Sequence, residues 1–237
     1  MSFRTSVTIV ASPRPRVGKT LLARVLTDFH RHEGRAVAAY DLNGGDGLLR
    51  EFLPKQTQIA AIADVKGQMA LFDTLVKPDD TTRVVDLGHD AFDSFFALAE
   101  HIGFTEEALA RGIAPAVLFL LTPDRTAIEA FRSVRRRMPG AALIPVHNEI
   151  FGPTQYGDRY PLSLGDKVVR LPALAAGLRK FVEVAPFSFA DVARAKEMPP
   201  EALEELERWL RKIYREFREI DLRLLLADLR SSITLGA

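Results

Sequence analysis

Gly18, Lys19 and Thr20 follow a Pro/Arg-rich turn, Pro13-Arg14-Pro15-Arg16-Val17, which itself follows the apolar run SVTIVA at 6–11. This order sets a lysine and a hydroxyl at the mouth of an amphipathic helix, directly after a buried strand. Such a mouth has unpaired N–H groups and a partial positive charge, and it favours a phosphate. Lys19 would then reach the β- and γ-phosphates of a nucleoside triphosphate, and the Thr20 hydroxyl would ligate Mg²⁺. Val17, Gly18 and Leu21 flank them in the candidate cradle. Pro13 stands where the pattern G-x-x-x-x-G-K-[ST] has its first glycine. The competing reading is a positively charged strand-to-helix turn that binds nothing.

Two further positions carry chemistry. Asp86 closes the apolar run TRVVDL at 82–87, where a carboxylate after a GKT loop would hold Mg²⁺ directly or through water. It would equally serve to start the turn Asp86-Leu87-Gly88. Asp41 ends the run RAVAAYD at 35–41 and is followed by Leu42, Asn43 and the glycine-rich stretch 44–47. His89 reads as a loop residue, because no second histidine stands at metal-site spacing.

The elements that must position these residues alternate along the chain. Strands are expected at 6–11, 35–41, 82–87, 116–121, 142–146 and 167–171. Helices are expected at 19–30, 68–76, 91–102 and 125–138, with a shorter one starting at 105 and a less regular region before 68. In the first helix Leu21, Leu22, Val25, Leu26 and Phe29 share one face. Strands separated by helices imply right-handed βαβ units and a mostly parallel sheet covered on both faces, an α/β three-layer, Rossmann-like fold. Ligands sit at the carboxyl ends of such strands, and Gly18-Lys19-Thr20, Asp41, Asp86 and Asn148 all fall there.

Residues 14–20, R-P-R-V-G-K-T, resemble the deviant Walker A loop K-G-G-x-G-K-T of the ParA/MinD family of SIMIBI-class P-loop ATPases. The resemblance covers residues 5–180 and implies ATP and Mg²⁺ as cofactors and a homodimer formed on ATP binding. Arg14 stands at the signature lysine, which in the family reaches the other subunit's nucleotide; Arg14 would stabilise phosphate charge as an arginine finger does. Pro15 and Arg16 replace two glycines: proline removes an N–H, and arginine disfavours positive φ. Asp41 matches the first aspartate of a D-x-D segment, orienting Mg²⁺ and its waters. Asn43 replaces the second, which helps position the attacking water, and an amide cannot accept a proton as a carboxylate can. Asp46 is a candidate substitute if the glycines let the loop fold back. Residues 118–132, LFLLTPDRTAIEAFR, resemble the strand, turn and helix bordering the second switch. Residues 144–148, IPVHN, place Asn148 as the reader of the adenine edge or as an ordinary turn residue. In VRLPAL, 169–174, Pro172 would pack against the base. The implied role is a nucleotide switch for positioning, partition or regulation, with slow or absent hydrolysis.

Composition agrees with one α/β domain, residues 1–198, and a helical extension, 199–237. The chain has 237 residues, nearly half of them hydrophobic, and 32 basic residues against 31 acidic, so no global charge points to nucleic acid or a membrane surface. It contains no cysteine, which excludes disulfide and thiol chemistry, and no apolar run of membrane-spanning length. A cytoplasmic protein is expected. After Pro199-Pro200 the pattern reads as a helix at 201–218, with Leu203, Leu206, Trp209, Leu210, Ile213, Tyr214 and Phe217 on one broad face, and a second helix at 221–229. The pair would dock on the sheet, form a dimer seam or, through Arg208–Arg218 and Arg135–Arg137, contact DNA. Residues 150–165 read as a long loop suited to a substrate or a protein partner. Two other functions fit the same residues: an ATP-dependent carboxylate-activating synthetase, and a pseudo-ATPase scaffold that binds only protein.

Overall fold

The computed structural model describes residues 5–44, 48–153, 160–161, 167–192 and 198–235, with side chains in the last stretch as far as 226. Among these residues seven strands are formed: β1 (Ser6–Ala11), β2 (Val37–Leu42), β3 (Thr57–Ile59), β4 (Thr82–Leu87), β5 (Ala114–Leu120), β6 (Ala142–Asn148) and β7 (Val169–Leu171). They make one sheet in the order β3-β2-β4-β1-β5-β6-β7. Every neighbouring pair is parallel. The helices are α1 (Lys19–His32), α2 (Leu48–Phe52), α3 (Val65–Leu75), α4 (Phe92–His101), α5 (Phe104–Ala110), α6 (Arg125–Arg137), α7 (Ala176–Val182) and α8 (Pro200–Leu235).

Strand side chains alternate between two cores because successive residues point to opposite faces. Val10, Val84, Leu118 and Leu120 meet Leu22 and Phe29 of α1, Leu178 of α7 and Leu206, Ile213 and Phe217 of α8. Val7, Ile9, Val85, Leu87, Val117 and Phe119 meet Leu71 of α3, Phe95 of α4, Phe104 of α5 and Phe131 of α6. The second core is aromatic: Phe119 and Phe131 meet edge to face at 5.2 Å, as do Phe92 and Phe96 at 4.9 Å. Each such ring contributes roughly 1.5–3 kcal/mol by burial alone.

Two sequence expectations need correction. The less regular region before α3 contains a helix and a strand, α2 and β3; both are too short to show a period. The C-terminal pair of helices is one helix, α8, which runs unbroken through 219 and 220. Neither glycine nor proline occurs there, and Glu219 accepts from Arg223 one turn on at 2.9 Å, which bridges the join.

The sheet order reverses around β1, so the crevice of the fold opens beyond its carboxyl end. On its far rim Gly88 donates its N–H to the Leu42 carbonyl at 3.2 Å. A Cβ at Gly88 would lie 2.5 Å from that oxygen. Gly88→Ala is therefore expected to destabilise the protein by about 1–3 kcal/mol through overpacking against backbone, read as a lower urea midpoint with an unchanged slope.

Candidate nucleotide site

The loop from β1 to α1 keeps an open helix mouth. Gly18 is the N-cap, in the left-handed conformation at φ 97°, with no side-chain cap and no acidic residue in the first turn. The first N–H groups of α1 are thus left for an anion. Arg16 is also left-handed, at φ 58°. This corrects the expectation that arginine would keep that position out of the glycine region. Val17 is 4 % exposed and anchored in the core, and the backbone between Pro15 and this anchor must turn sharply. Arg16 holds the strained conformation at a cost of about 1–3 kcal/mol. Its side chain and Pro15 are exposed, so neither blocks the mouth.

Lys19 is 6 % exposed and donates to the Arg14 carbonyl at 2.7 Å. Burial lowers its pKa, against the opposing charges of Asp86 and Asp90. Thr20 donates its hydroxyl to Asp86 Oδ2 at 2.7 Å. Asp41 and Asp86 are register partners on adjacent strands, so both carboxylates meet at one point of the sheet edge. Asn43 joins them: its Nδ2 donates to Asp41 Oδ1 and to Asp86 Oδ2, each at 2.8 Å. The amide thereby supplies between two carboxylates the donor that a third carboxylate could not. The remaining oxygen of Asp41 accepts the Arg50 N–H at 3.1 Å, which ties α2 to the same point.

Asp86 is the unusual member. Burial raises it to about 6, assisted by the Asp41 charge and opposed by the hydrogen bonds from Thr20 and Asn43. Its Oδ1 is buried with no hydrogen-bond partner among the described residues. An orphaned carboxylate oxygen beside a hydroxyl is the donor set a hard cation takes, since Mg²⁺ needs only one or two carboxylates alongside phosphates and waters. Among the described residues no group of three or more His, Cys, Asp or Glu forms a closed metal site. His89 lies at the cleft rim, 3.0 Å from Asp90.

Arg14 is directed elsewhere than the resemblance implies. Its Nε and Nη2 donate to Asp124 Oδ1 of the same chain, at 3.0 and 2.6 Å. Arg14 holds Asp124 well below the usual carboxylate range. Asp124 also caps α6 through the Ala127 N–H and accepts the Thr122 hydroxyl at 2.7 Å. The guanidinium is therefore folded against the 122–124 turn rather than extended outward. On the other flank, Asn148 donates Nδ2 to the Val17 carbonyl at 3.0 Å and accepts the Ile150 N–H at 3.2 Å. Its amide braces the loop from behind, and a Cβ at Gly18 would lie 2.6 Å from Nδ2. Pro172 contributes its carbonyl to the indole N–H of Trp209 at 2.9 Å. Asp46 lies outside the described residues, as do 154–159 and 162–166 of the long loop.

The cleft at the helix mouth has a volume of ≈ 870 Å³ and is lined by Arg16, Gly18, Lys19, Thr20 and Leu21 on one side and by Asn43, Gly44 and Gly88–Ala91 on the other. Of the residues singled out in the sequence, Lys19 and Thr20 line this cleft, while Asp41 and Asp86 stand behind it, bonded to Asn43 and, for Asp86, to Thr20. Sequence reasoning missed Asn43 as a bridge, Gly88 as a close approach and Asp124 as the anchor of Arg14; the quoted T-P-D turn was the one signal for the last.

No protein-family model matches the sequence, and no curated protein is significantly similar to it. Solved structures do match. A chain of the MinC:MinD cell division protein complex of Aquifex aeolicus is 16% identical, with a TM-score of 0.50 over 87% of this chain and 95% of that one. The fold is that of the P-loop NTPases, as in that complex. Lower similarity extends to a plasmid partition protein from Borrelia burgdorferi, at 12% identity and TM-score 0.48, covering 88% of this chain and 97% of that one. MinD from Pyrococcus horikoshii OT3, complexed with Mg-ADP, is 13% identical with a TM-score of 0.46, covering 92% of this chain and 96% of that one. Among the described residues, no helix is long and apolar enough to cross a membrane.

Proposed function

We propose that this chain binds ATP with Mg²⁺ at the mouth of α1 and acts as a nucleotide-dependent switch that pairs with a second copy and hydrolyses slowly. The observation that carries the reading is the buried Asp86 Oδ1, unpartnered among the described residues, next to the Thr20 hydroxyl and the uncapped N-terminus of α1. Thr20 and Asp86, with Asp41 behind them, are the residues that would hold the cation. When bound, Mg²⁺ would neutralise charge on the β- and γ-phosphates.

The chain's own groups do the rest. Lys19 exchanges a neutral carbonyl, the Arg14 oxygen, for phosphate oxygens, which make a stronger charge-assisted partner. The N–H groups of the first turn bind the same anion, and Arg16 at the rim adds positive charge. Asn43 orients water by hydrogen bonding but takes no proton, so the step that needs a base is slow. Arg14 would reach a second subunit's phosphates only by leaving Asp124. An ATP-formed dimer with exchange of that pair is the switch we infer, and its cargo would be another protein.

Titrating the pure protein with ATP and ADP, with Mg²⁺, while following its molecular mass tests this reading. Tight ATP binding with a doubled mass supports it. Binding without pairing, and turnover only when a small carboxylic acid is added, selects the synthetase. An absence of nucleotide binding selects the scaffold. Asn43→Asp separates chemistry from binding: Mg²⁺-dependent turnover is expected to rise about tenfold or more, within the usual contribution of a general base. The same change places a third carboxylate against Asp41 and Asp86, so the metal-free protein should melt at lower temperature.

A further inference from the structure

The carboxyl end of the sheet has a second cation-lined cavity, away from the helix mouth. It has a volume of ≈ 520 Å³ and lies between Pro172, Glu149 and the α8 residues Glu205, Arg208, Arg211, Lys212 and Arg215. Positions 208, 211, 212 and 215 follow the i, i+3, i+4, i+7 rule, so the four cations share one helix face. Arg211 has Glu207 at 3.7 Å, and Glu149 has Arg170 at 3.7 Å. Arg208, Lys212 and Arg215 have no carboxylate at ion-pair distance among the described residues. The floor is rigid: the Trp209 indole is 6 % exposed, stacked on Phe189 at 5.7 Å and fixed by its bond to the Pro172 carbonyl.

Four cations around one concavity repel each other; the two carboxylates in its lining, Glu149 and Glu205, leave an excess of positive charge, and among the described residues neither is at ion-pair distance from Arg208, Lys212 or Arg215. The stripe is also short, about 10 Å from 208 to 215 at the rise of an α-helix. It is bounded on one side by Glu201, Glu204 and Glu205 of the same helix and on the other by Arg218, which is paired with Glu33 at 2.7 Å. That length suits neighbouring phosphates of one small molecule. A nucleic acid backbone continuing in either direction would meet carboxylates or an occupied arginine.

We propose that this cavity binds a small anion carrying at least two phosphate groups, at a site separate from the cleft at α1. Trp209 is the chain's one tryptophan, so its fluorescence reports on this cavity. The test titrates the full chain with inorganic pyrophosphate at near-physiological salt, without Mg²⁺, by Trp209 fluorescence and by calorimetry. It compares the unaltered protein, Lys19→Ala, and the double variant Arg208→Ala/Arg215→Ala, whose altered side chains are exposed. The expected result is a saturable Trp209 signal with the same midpoint in the unaltered protein and Lys19→Ala, matched by calorimetry on Lys19→Ala, where the α1 site is weakened, and a Trp209 midpoint about tenfold or more higher in the double variant, as loss of charge-assisted bonds requires. Loss of the Trp209 signal in Lys19→Ala would place the anion at α1 and overturn the proposal. So would an unchanged midpoint in the double variant at unchanged melting temperature, or no saturable signal at millimolar pyrophosphate. A duplex oligonucleotide that binds more tightly than pyrophosphate, and is lost in the same double variant, would assign the stripe to nucleic acid and equally overturn it.

Discussion

Lys19→Ala is expected to weaken ATP binding by roughly 100-fold or more, as measured by calorimetry with Mg²⁺ present. Lys19 is a buried residue, and among the described residues its ammonium has one hydrogen-bond partner, the Arg14 carbonyl. Bringing phosphate oxygens to it replaces a neutral acceptor by charged ones in a desolvated site, and charge-assisted bonds are worth about 1.5–3 kcal/mol each. Two such bonds lost give a change of that size. Folding should respond far less. Burial already lowers the pKa of this lysine, so alanine removes a desolvation cost along with one hydrogen bond. A variant that binds ATP as tightly as the unaltered protein would place the phosphates somewhere other than the α1 mouth.

Asp86→Asn should separate stability from ligand binding in the opposite direction. Burial raises the Asp86 pKa to about 6 in the folded protein, above its value in the unfolded chain. The folded state therefore holds the proton more tightly. Its stability is greatest below the unfolded pKa and declines as pH rises from about 4 to about 6. Above that range the ionised, partly unpartnered carboxylate costs about 3 kcal/mol at one pKa unit per 1.36 kcal/mol. The amide carries no such penalty, so the metal-free variant should melt several degrees higher at pH 7.5, by about 2–4 °C per kcal/mol for a chain of this length. Its melting temperature should no longer fall between pH 4 and pH 6. The variant should at the same time lose the Mg²⁺-dependent part of ATP affinity, while in the unaltered protein that part should grow as pH rises through 6. Thermal melts across pH, with and without Mg²⁺-ATP, check both halves. Equal melting curves for the two proteins at pH 7.5 would remove the strained carboxylate, and with it the main support for a cation beside Thr20.

These opposite effects show why a site of this kind is readable in sequence only in part. A buried strand ending in aspartate, as at 82–87, announces itself because the apolar run has no other use for a charge. The GKT segment is legible for the same reason: glycine, lysine and a hydroxyl open a helix whose apolar face is already fixed by Leu22, Val25 and Phe29. The relation among side chains from different elements is not legible. Asn43 reads locally as a substitution that removes a base, yet in space it is a donor shared by two carboxylates. Arg14 reads as an outward finger, whereas Asp124, 110 residues away in sequence, draws it back. Arg16 reads as a residue unsuited to the left-handed region, but the buried Val17 next to it imposes that backbone. The short elements α2 and β3 were missed because too few residues contribute to a period; their ends are set by contacts, such as Arg50 to Asp41, made across the fold.

The amino-acid sequence by itself determined the alternation of strand and helix, the parallel α/β class and the presence of a lysine, a hydroxyl and two aspartates at carboxyl ends of strands. Hydrophobic period and turn residues are local properties, and local properties suffice for these. Tertiary structure alone decided that Asp41 and Asp86 lie side by side, that one oxygen of Asp86 has no partner among the described residues, and that the cations of α8 face a cavity beside Pro172. Those outcomes depend on strand order and on burial. The free energy of a charge is set by how much water and which dipoles surround it, and that environment exists only once distant segments have packed together.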